Sequence, residues 1–168
     1  MAYHPETNVP GRGTEEVKTN DVTGRVKRGE VGIGIEIGRP STGADMHDVE
    51  LFTNMLAKLN YIEFEKDNPV LYLLEDVEKG KIAKDLIDRK VLSAIIEFTI
   101  PIEKMKEVIK NIKKVAKNID TVLSLEVITI FENNQIPTQF NQIIKDLNMS
   151  YRPNAKVNLG LGRPLKEE

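Results

Sequence analysis

Residues 31–38 read VGIGIEIG, and this stretch sets the pattern from which the fold can be argued. Branched apolar side chains occupy the odd positions from Val31 to Ile37, while three glycines and one glutamate occupy the even positions. Successive side chains of a strand point to opposite faces of a sheet. The stretch is therefore a predicted β-strand with one apolar face and one almost bare face, and Pro40 ends it.

The rest of the chain alternates between helix and strand patterns. Helical spacing of apolar residues occurs in residues 46–59, 77–90, 102–119 and, after Pro137, 140–147. Strand patterns fill residues 61–65, 70–74, 91–100, 121–131 and 155–161. The first two, separated by a KDNP turn, predict a hairpin. The long apolar runs at 91–100 and 121–131 are typical of central strands.

This order of elements predicts an α+β fold rather than a doubly wound parallel sheet. It resembles ferredoxin-like split βαβ units, with a mostly antiparallel sheet and the helices packed on one face. Residues 31–168 then form a single domain, which is large enough to bury a core without metals or disulfides. Residues 1–30 carry only scattered apolar side chains and predict a flexible or extended N-terminal arm, either mobile or tied to a partner subunit.

The composition excludes several kinds of site. The chain has 168 residues, two histidines and no cysteine, so disulfides, thiolate metal centres and a cysteine nucleophile are ruled out. A formal net charge of −2 gives no general attraction to nucleic acid or to anionic membranes. No leader pattern and no apolar run of ~20 residues is visible. We therefore expect a cytoplasmic protein with no cofactor, no metal, and no nucleic-acid or membrane partner.

A second glycine-rich stretch, NLGLGRP at residues 158–164, ends in the same Gly-Arg-Pro sequence as residues 38–40. If the first and last strands were neighbours, their bare faces would join into one shallow surface. The candidate interface on that surface comprises Gly32, Gly34, Glu36, Lys156, Asn158, Gly160 and Gly162. Glycine in a strand often marks close approach of a ligand or of another backbone. Simple packing, a protein interface and a ligand surface are all open explanations for this pattern.

The segment between the first strand and the first helix, GRPSTGADMHD at residues 38–48, holds the side chains best suited to chemistry. Backbone amides and the helix dipole favour an anion where a strand leads into a helix. The candidate ligand-binding residues are Arg39, Ser41, Thr42, Gly43, Asp45, His47 and Asp48. The spacing matches neither the P-loop nor the dinucleotide-binding pattern. Helix capping by Asp45 and a dipole contact by Asp48 are the alternative interpretation.

No sequence motif of a catalytic triad, a zinc protease, a calcium loop or a redox pair is found, so we name no catalytic residue and leave open whether the protein is an enzyme. We expect a non-catalytic binding or accessory subunit that acts through sheet edges and its N-terminal arm, as a homo-oligomer or with a protein partner. The alternative is an enzyme or sensor that binds phosphate, a nucleotide or another small anionic ligand at residues 38–48. Abundant Lys, Ile, Asn and Glu suggest an AT-rich, archaeal genome.

Overall fold

A computed structural model of the chain describes residues 25–38, 42–66 and 68–151. The strands are β1 (Glu30–Ile37), β2 (Ala44–Asp45), β3 (Glu63–Phe64), β4 (Leu74–Asp76), β5 (Lys81–Ile82), β6 (Lys90–Val91), β7 (Ala94–Pro101) and β8 (Leu123–Thr129). The helices are α1 (Met46–Ala57), α2 (Met105–Val115) and α3 (Thr138–Asp146). The predicted strand at residues 155–161 and the first 24 residues of the predicted arm lie outside the described residues.

Four strands form the main sheet in the order β3-β7-β1-β8, and each neighbouring pair is antiparallel. β1 lies between the two other long strands and pairs with both along its length. The pairs β2–β6 and β4–β5 form two small separate sheets. The predicted α+β class with antiparallel pairing is thereby confirmed.

The three helices pack against one face of the main sheet and enclose the core with it. β1 contributes the side chains of its odd-numbered residues to this core. Val31, Ile33, Ile35 and Ile37 are each at most 2% exposed. Phe52 of α1 and Ile109 of α2 are fully buried in the same cluster. The predicted helices at 46–59, 102–119 and 140–147 correspond to α1, α2 and α3, whose apolar stripes supply the other half of this core.

The predicted helix at residues 77–90 is wrong. β4 and β5 form a short hairpin there, and turns follow at residues 84–88. Gly80 has a φ of 63°, and a Cβ at this position would lie 2.2 Å from the carbonyl oxygen of Thr53. Gly80 therefore forms a tight turn with a left-handed backbone conformation, packed against α1. This tertiary contact prevents the helix that the spacing of the apolar residues predicts.

Two predictions about strand pairing are also wrong. Residues 61–65 and 70–74 do not form a hairpin, because β3 pairs with β7 and Leu71–Leu73 is a turn of 3-10 helix. Among the described strands, β8 lies at the edge of the main sheet and not at its centre. Its apolar composition has another cause: Leu123, Leu125 and Val127 pack against the core that the helices cover, although they stay only half-buried.

Candidate functional site

The sheet face opposite the helices carries the bare side of β1. Gly34 pairs with Glu97 of β7 on one side and with Glu126 of β8 on the other. Glu36 lies two residues further along β1, and residues two apart share one face of a sheet. We call this surface the glycine face, defined by Gly32, Gly34 and Glu36 together with Glu97 and Glu126. Three carboxylates therefore lie on a surface whose central strand has almost no side chains.

A depression of about 280 Å³ lies over the glycine face. Gly32 and Gly34 line its floor. The charged residues that line it are five glutamates and three basic residues, namely Glu30, Glu63, Glu65, Glu97, Glu126, Arg25, Lys27 and Lys66. Arg25 forms an ion pair with Glu65. Among the described residues that line the depression, carboxylates therefore outnumber basic side chains.

Two of the glutamates on the glycine face are buried and hydrogen-bonded. Glu36 and Glu97 are each 7% exposed. Ser124 donates its hydroxyl to Glu36 at 2.8 Å, and Asn68 donates its side-chain amide to Glu97 at 3.2 Å. Burying a carboxylate is costly unless donors of this kind accompany it. These contacts join β1 to β8 and join β7 to the segment that follows β3.

The sequence prediction selected Glu36 but missed Glu97, Glu126 and Asn68. One feature of the sequence could have identified the two glutamates. Glu97 and Glu126 are each the single acidic residue of a strand whose other residues are apolar or carry a hydroxyl. Only the register of pairing shows that both lie beside Gly34. The other predicted interface residues, Lys156, Asn158, Gly160 and Gly162, lie outside the described residues.

Side chains of the same chain approach the glycines of β1 closely. Val26 Cγ2 lies 3.0 Å from the position that a Cβ of Gly32 would occupy, so Val26 packs directly over the strand. Glu126 Oε2 lies 3.4 Å from the corresponding position at Gly34. Gly38 differs, because its φ is 80° and a Cβ would lie 2.5 Å from the carbonyl carbon of Gly43. The turn after β1 thus requires glycine, whereas Gly32 and Gly34 make room for neighbouring side chains.

The outer side of β7 is closed by several different groups. β3 pairs with Phe98 and Thr99, and the amide of Glu65 donates to the carbonyl of Glu97 at 2.9 Å. Beyond that point Asn68 donates its side-chain amide to the carbonyl of Ile95 at 3.0 Å. Asn68 is fully buried, and its carbonyl oxygen accepts from the amide of Val70 at 3.1 Å. A side chain therefore continues the ladder where the short strand β3 stops.

The outer side of β8 has a different arrangement. The amide of Gly38 donates to the carbonyl of Val122 at 2.9 Å, which places even-numbered residues of this strand in the hydrogen-bonded pairs with β1. The backbone N–H and C=O groups of the odd-numbered residues then point away from the sheet; these are Leu123, Leu125, Val127 and Thr129. Among the described residues no strand pairs with this side of β8. We call these outward groups the β8 edge.

The loop between β1 and α1 is hydrogen-bonded within itself. The amides of Thr42 and Gly43 donate to the carbonyl of Gly38 at 3.0 and 3.2 Å. Thr121, just before β8, donates its hydroxyl to the carbonyl of Gly43 at 2.6 Å. An anion at this loop needs free amide donors. The amides of Thr42 and Gly43 are therefore already engaged, while Arg39 and Ser41 lie outside the described residues.

The acidic residues of the same loop make local contacts. Asp45 is the N-cap of α1 and accepts from the amide of His47 at 3.0 Å. His47 Nε2 lies 3.1 Å from an oxygen of Asp88, and both side chains are exposed. Burial raises the pKa of Asp48 in the first turn of α1. In the described ranges, no group of three His, Asp or Glu residues is arranged to hold a metal ion.

Comparison with known proteins gives no relative for this chain, since no family model, no curated protein and no solved structure matches it. In residues 25–38, 42–66 and 68–151, no helix has the length and apolar character needed to cross a membrane. The features that point to a function are therefore the glycine face and the β8 edge.

Proposed function

We propose that the protein is a non-catalytic binding or accessory subunit, which accepts an extended segment of a protein partner on the β8 edge. The observation that carries this proposal is the row of outward backbone groups on Leu123, Leu125, Val127 and Thr129. A peptide that adds to a sheet edge gains affinity from main-chain hydrogen bonds and specificity from alternate side chains. The β8 edge offers both kinds of contact.

The side chains next to the β8 edge define the chemistry of such a partner. On the helix side, Leu123, Leu125 and Val127 are only half-buried, so apolar side chains of an added strand would cover them. On the other side, Glu126 belongs to the acidic glycine face. Like charges directly opposite each other on neighbouring strands are destabilising. The partner segment therefore carries apolar residues on the helix side and an uncharged polar or a basic residue opposite Glu126.

The N-terminal arm has a place in this proposal as a second contact with the partner. Its last described residues lie beside the glycine face: Val26 is 4% exposed and packs over Gly32, and Arg25 pairs with Glu65. These two residues support the fold itself. A deletion that tests the arm should therefore remove residues 2–24 and keep Arg25 and Val26. We expect this deletion to weaken partner binding.

Selection from a library of nine-residue peptides tests the proposed function. The full chain is the bait, and the affinity of selected peptides is measured by titration calorimetry. We expect binding to be lost in Leu125→Pro, which removes an outward N–H, and to survive in Leu125→Ala, which shortens the same side chain but keeps that N–H. Peptides that bind both variants equally, or no selected peptide at all, would contradict recognition through the β8 edge.

For the fold, we also propose the ferredoxin-like arrangement that the sequence suggests. Its support is the strand order β3-β7-β1-β8 with antiparallel neighbours. α1 lies in the chain between β1 and β3, and α2 lies between β7 and β8. The hairpin β4–β5, the strand β6 and the helix α3 are then additions to the basic unit. A solved structure of the full chain, including residues 152–168, tests this assignment directly.

A further inference from the structure

Within the described part of the chain, the β8 edge has few of the features with which edge strands commonly avoid pairing, and Glu126 is its one charged residue. Natural edges are often kept from aggregating by lysine, proline, a β-bulge or a very short strand. β8 is seven residues long, reads LSLEVIT and pairs with β1 in an unbroken register. Beyond its ends lie two exposed apolar side chains, Val122 at 40% and Phe131 at 36%. An edge of this length and composition is suited to pairing with another strand.

The sequence of β8 can be tested for pairing with itself. Two copies related by a two-fold axis pair antiparallel, and their outward odd-numbered residues must form the hydrogen-bonded pairs. A register centred on Glu126 puts two like charges directly opposite each other, which is destabilising. A register centred on Val127 puts Glu126 opposite Ile128 and Ser124 opposite Ile130. Both registers set unlike or repelling side chains against each other.

A register centred on Leu125 avoids these conflicts. On the glycine face it places Val122 opposite Ile128 of the second copy, and Ser124 opposite Glu126 of the second copy. On the helix side it places Leu125 opposite its own copy and Leu123 opposite Val127. Apolar side chains thus meet apolar ones on both faces, and the exposed Val122 gains a cover. The Glu126 carboxylates of the two copies are not opposite each other, because each lies opposite Ser124 and they are two residues apart along the strands.

We propose that the partner at the β8 edge is a second copy of this chain, paired antiparallel in the register centred on Leu125. The inference rests on the proposed function, because it names the occupant of the same edge. The two main sheets then form one continuous sheet across the two-fold axis. The pairs of Leu125 with itself and of Leu123 with Val127 supply the backbone hydrogen bonds that join the two copies.

Sedimentation velocity over a concentration series measures this association in the full chain. We expect a dimer for the wild type and for Leu125→Ala. We expect Leu125→Pro to raise the dimer dissociation constant about tenfold or more relative to Leu125→Ala, because the symmetry removes two hydrogen bonds at once. A wild type that stays monomeric at millimolar concentration overturns the inference. In that case binding of selected peptides that Leu125→Pro abolishes would still uphold the proposed function.

Disulfide cross-linking tests the register, and the chain suits it because it contains no cysteine. In the register centred on Leu125, residues 122 and 128 form a pair without hydrogen bonds, with Cα atoms about 4.5 Å apart, which is within the range of a disulfide. We expect the double variant Val122→Cys with Ile128→Cys to form covalent dimers under mild oxidation. Each single variant is the control, because its two cysteines would lie about 20 Å apart.

A third cysteine variant reports the competing register. Glu126→Cys alone would form covalent dimers only if the two copies paired around residue 126. Rapid cross-linking of Glu126→Cys, with none in the double variant, would overturn the register centred on Leu125. Cross-linking of the double variant together with failure of all three single variants supports it. Circular dichroism of each reduced variant checks that the substitution has left the fold intact.

Discussion

Along the outer side of β7, backbone groups find partners in β3, in the amide of Glu65 and in the side chain of Asn68. Along the outer side of β8, the backbone groups of four residues point away from the sheet, and no described strand pairs with them. Both strands are long and largely apolar. The difference therefore lies in what the chain places next to each strand, and not in the strands themselves.

This comparison separates an edge that the fold itself closes from the edge at which we propose that a partner binds. Asn68 is fully buried and serves three neighbouring groups at once, so the β7 side is fixed as part of the folded core. The β8 side has half-buried side chains and no group that continues its ladder among the described residues. Unpaired edges are a liability that proteins usually remove. The open edge is the observation that supports the proposed partner.

The largest effect is expected from Asn68→Ala on the closed side. The substitution leaves the carbonyl of Ile95 and the amide of Val70 without partners in a buried site, and it removes a donor from Glu97. Each unsatisfied buried group costs about 1–3 kcal/mol. We expect the free energy of unfolding to fall by about 3 kcal/mol, measured by urea denaturation at neutral pH.

The matched control at this position is Asn68→Asp. It keeps an oxygen that can accept from Val70 but has no amide to donate to Ile95, and it places a second carboxylate beside Glu97. We expect it to be at least as destabilised as the alanine variant at neutral pH. A loss below about 1 kcal/mol in Asn68→Ala would mean that water replaces the side chain. The side chain of Asn68 would then not be what closes the β7 edge.

A smaller effect is expected from Ser124→Ala, which removes the bond between β8 and the buried carboxylate of Glu36. Hydrogen bonds to charged groups contribute about 1.5–3 kcal/mol. We expect the loss to lie near the lower end of that range because Ser124 is itself exposed. Ser124→Thr keeps the hydroxyl and is the control. Equal losses in both variants under urea denaturation would assign the effect to packing instead of the hydrogen bond.

Strong periodicity made much of the fold predictable from the sequence. The odd-numbered apolar residues of β1 and the stripe of α2 each repeat often enough to fix both the element and its buried face. The same alternation correctly places Gly32, Gly34 and Glu36 on one face. The interface role of these three residues remains a prediction. Local pattern thus identified the elements that supply most of the core.

The arrangement of the strands was not predictable in the same way. Residues 121–131 look like a central strand because the apolar contacts of β8 with the core give the same composition as full burial. Asn68 lies in a KDNP segment typical of a turn, and nothing local distinguishes a turn asparagine from one that bonds to a distant strand. Edge position and cross-strand neighbours depend on long-range register, which a single sequence does not encode in any local pattern.

The smallest perturbation, amide hydrogen exchange, tests the β8 edge without changing any residue. In dilute protein, the amides of Leu125 and Val127 point outward and should exchange rapidly, whereas those of Ser124 and Ile128 donate to β1 and should be protected. Exchange followed by NMR resolves these four amides individually.

The diagnostic result is the contrast between rapid exchange at Leu125 and Val127 and slow exchange at Ser124 and Ile128. Fraying of the whole strand would instead expose all four amides together. Raising the protein concentration separates the remaining explanations. If a second copy pairs with the edge, Leu125 and Val127 become protected while Ser124 and Ile128 change little. If their rapid exchange persists at every concentration, the edge is open but the partner is another protein. If all four amides are slow even at the lowest concentration, the chain itself covers the edge, and the contrast between the β7 and β8 sides fails.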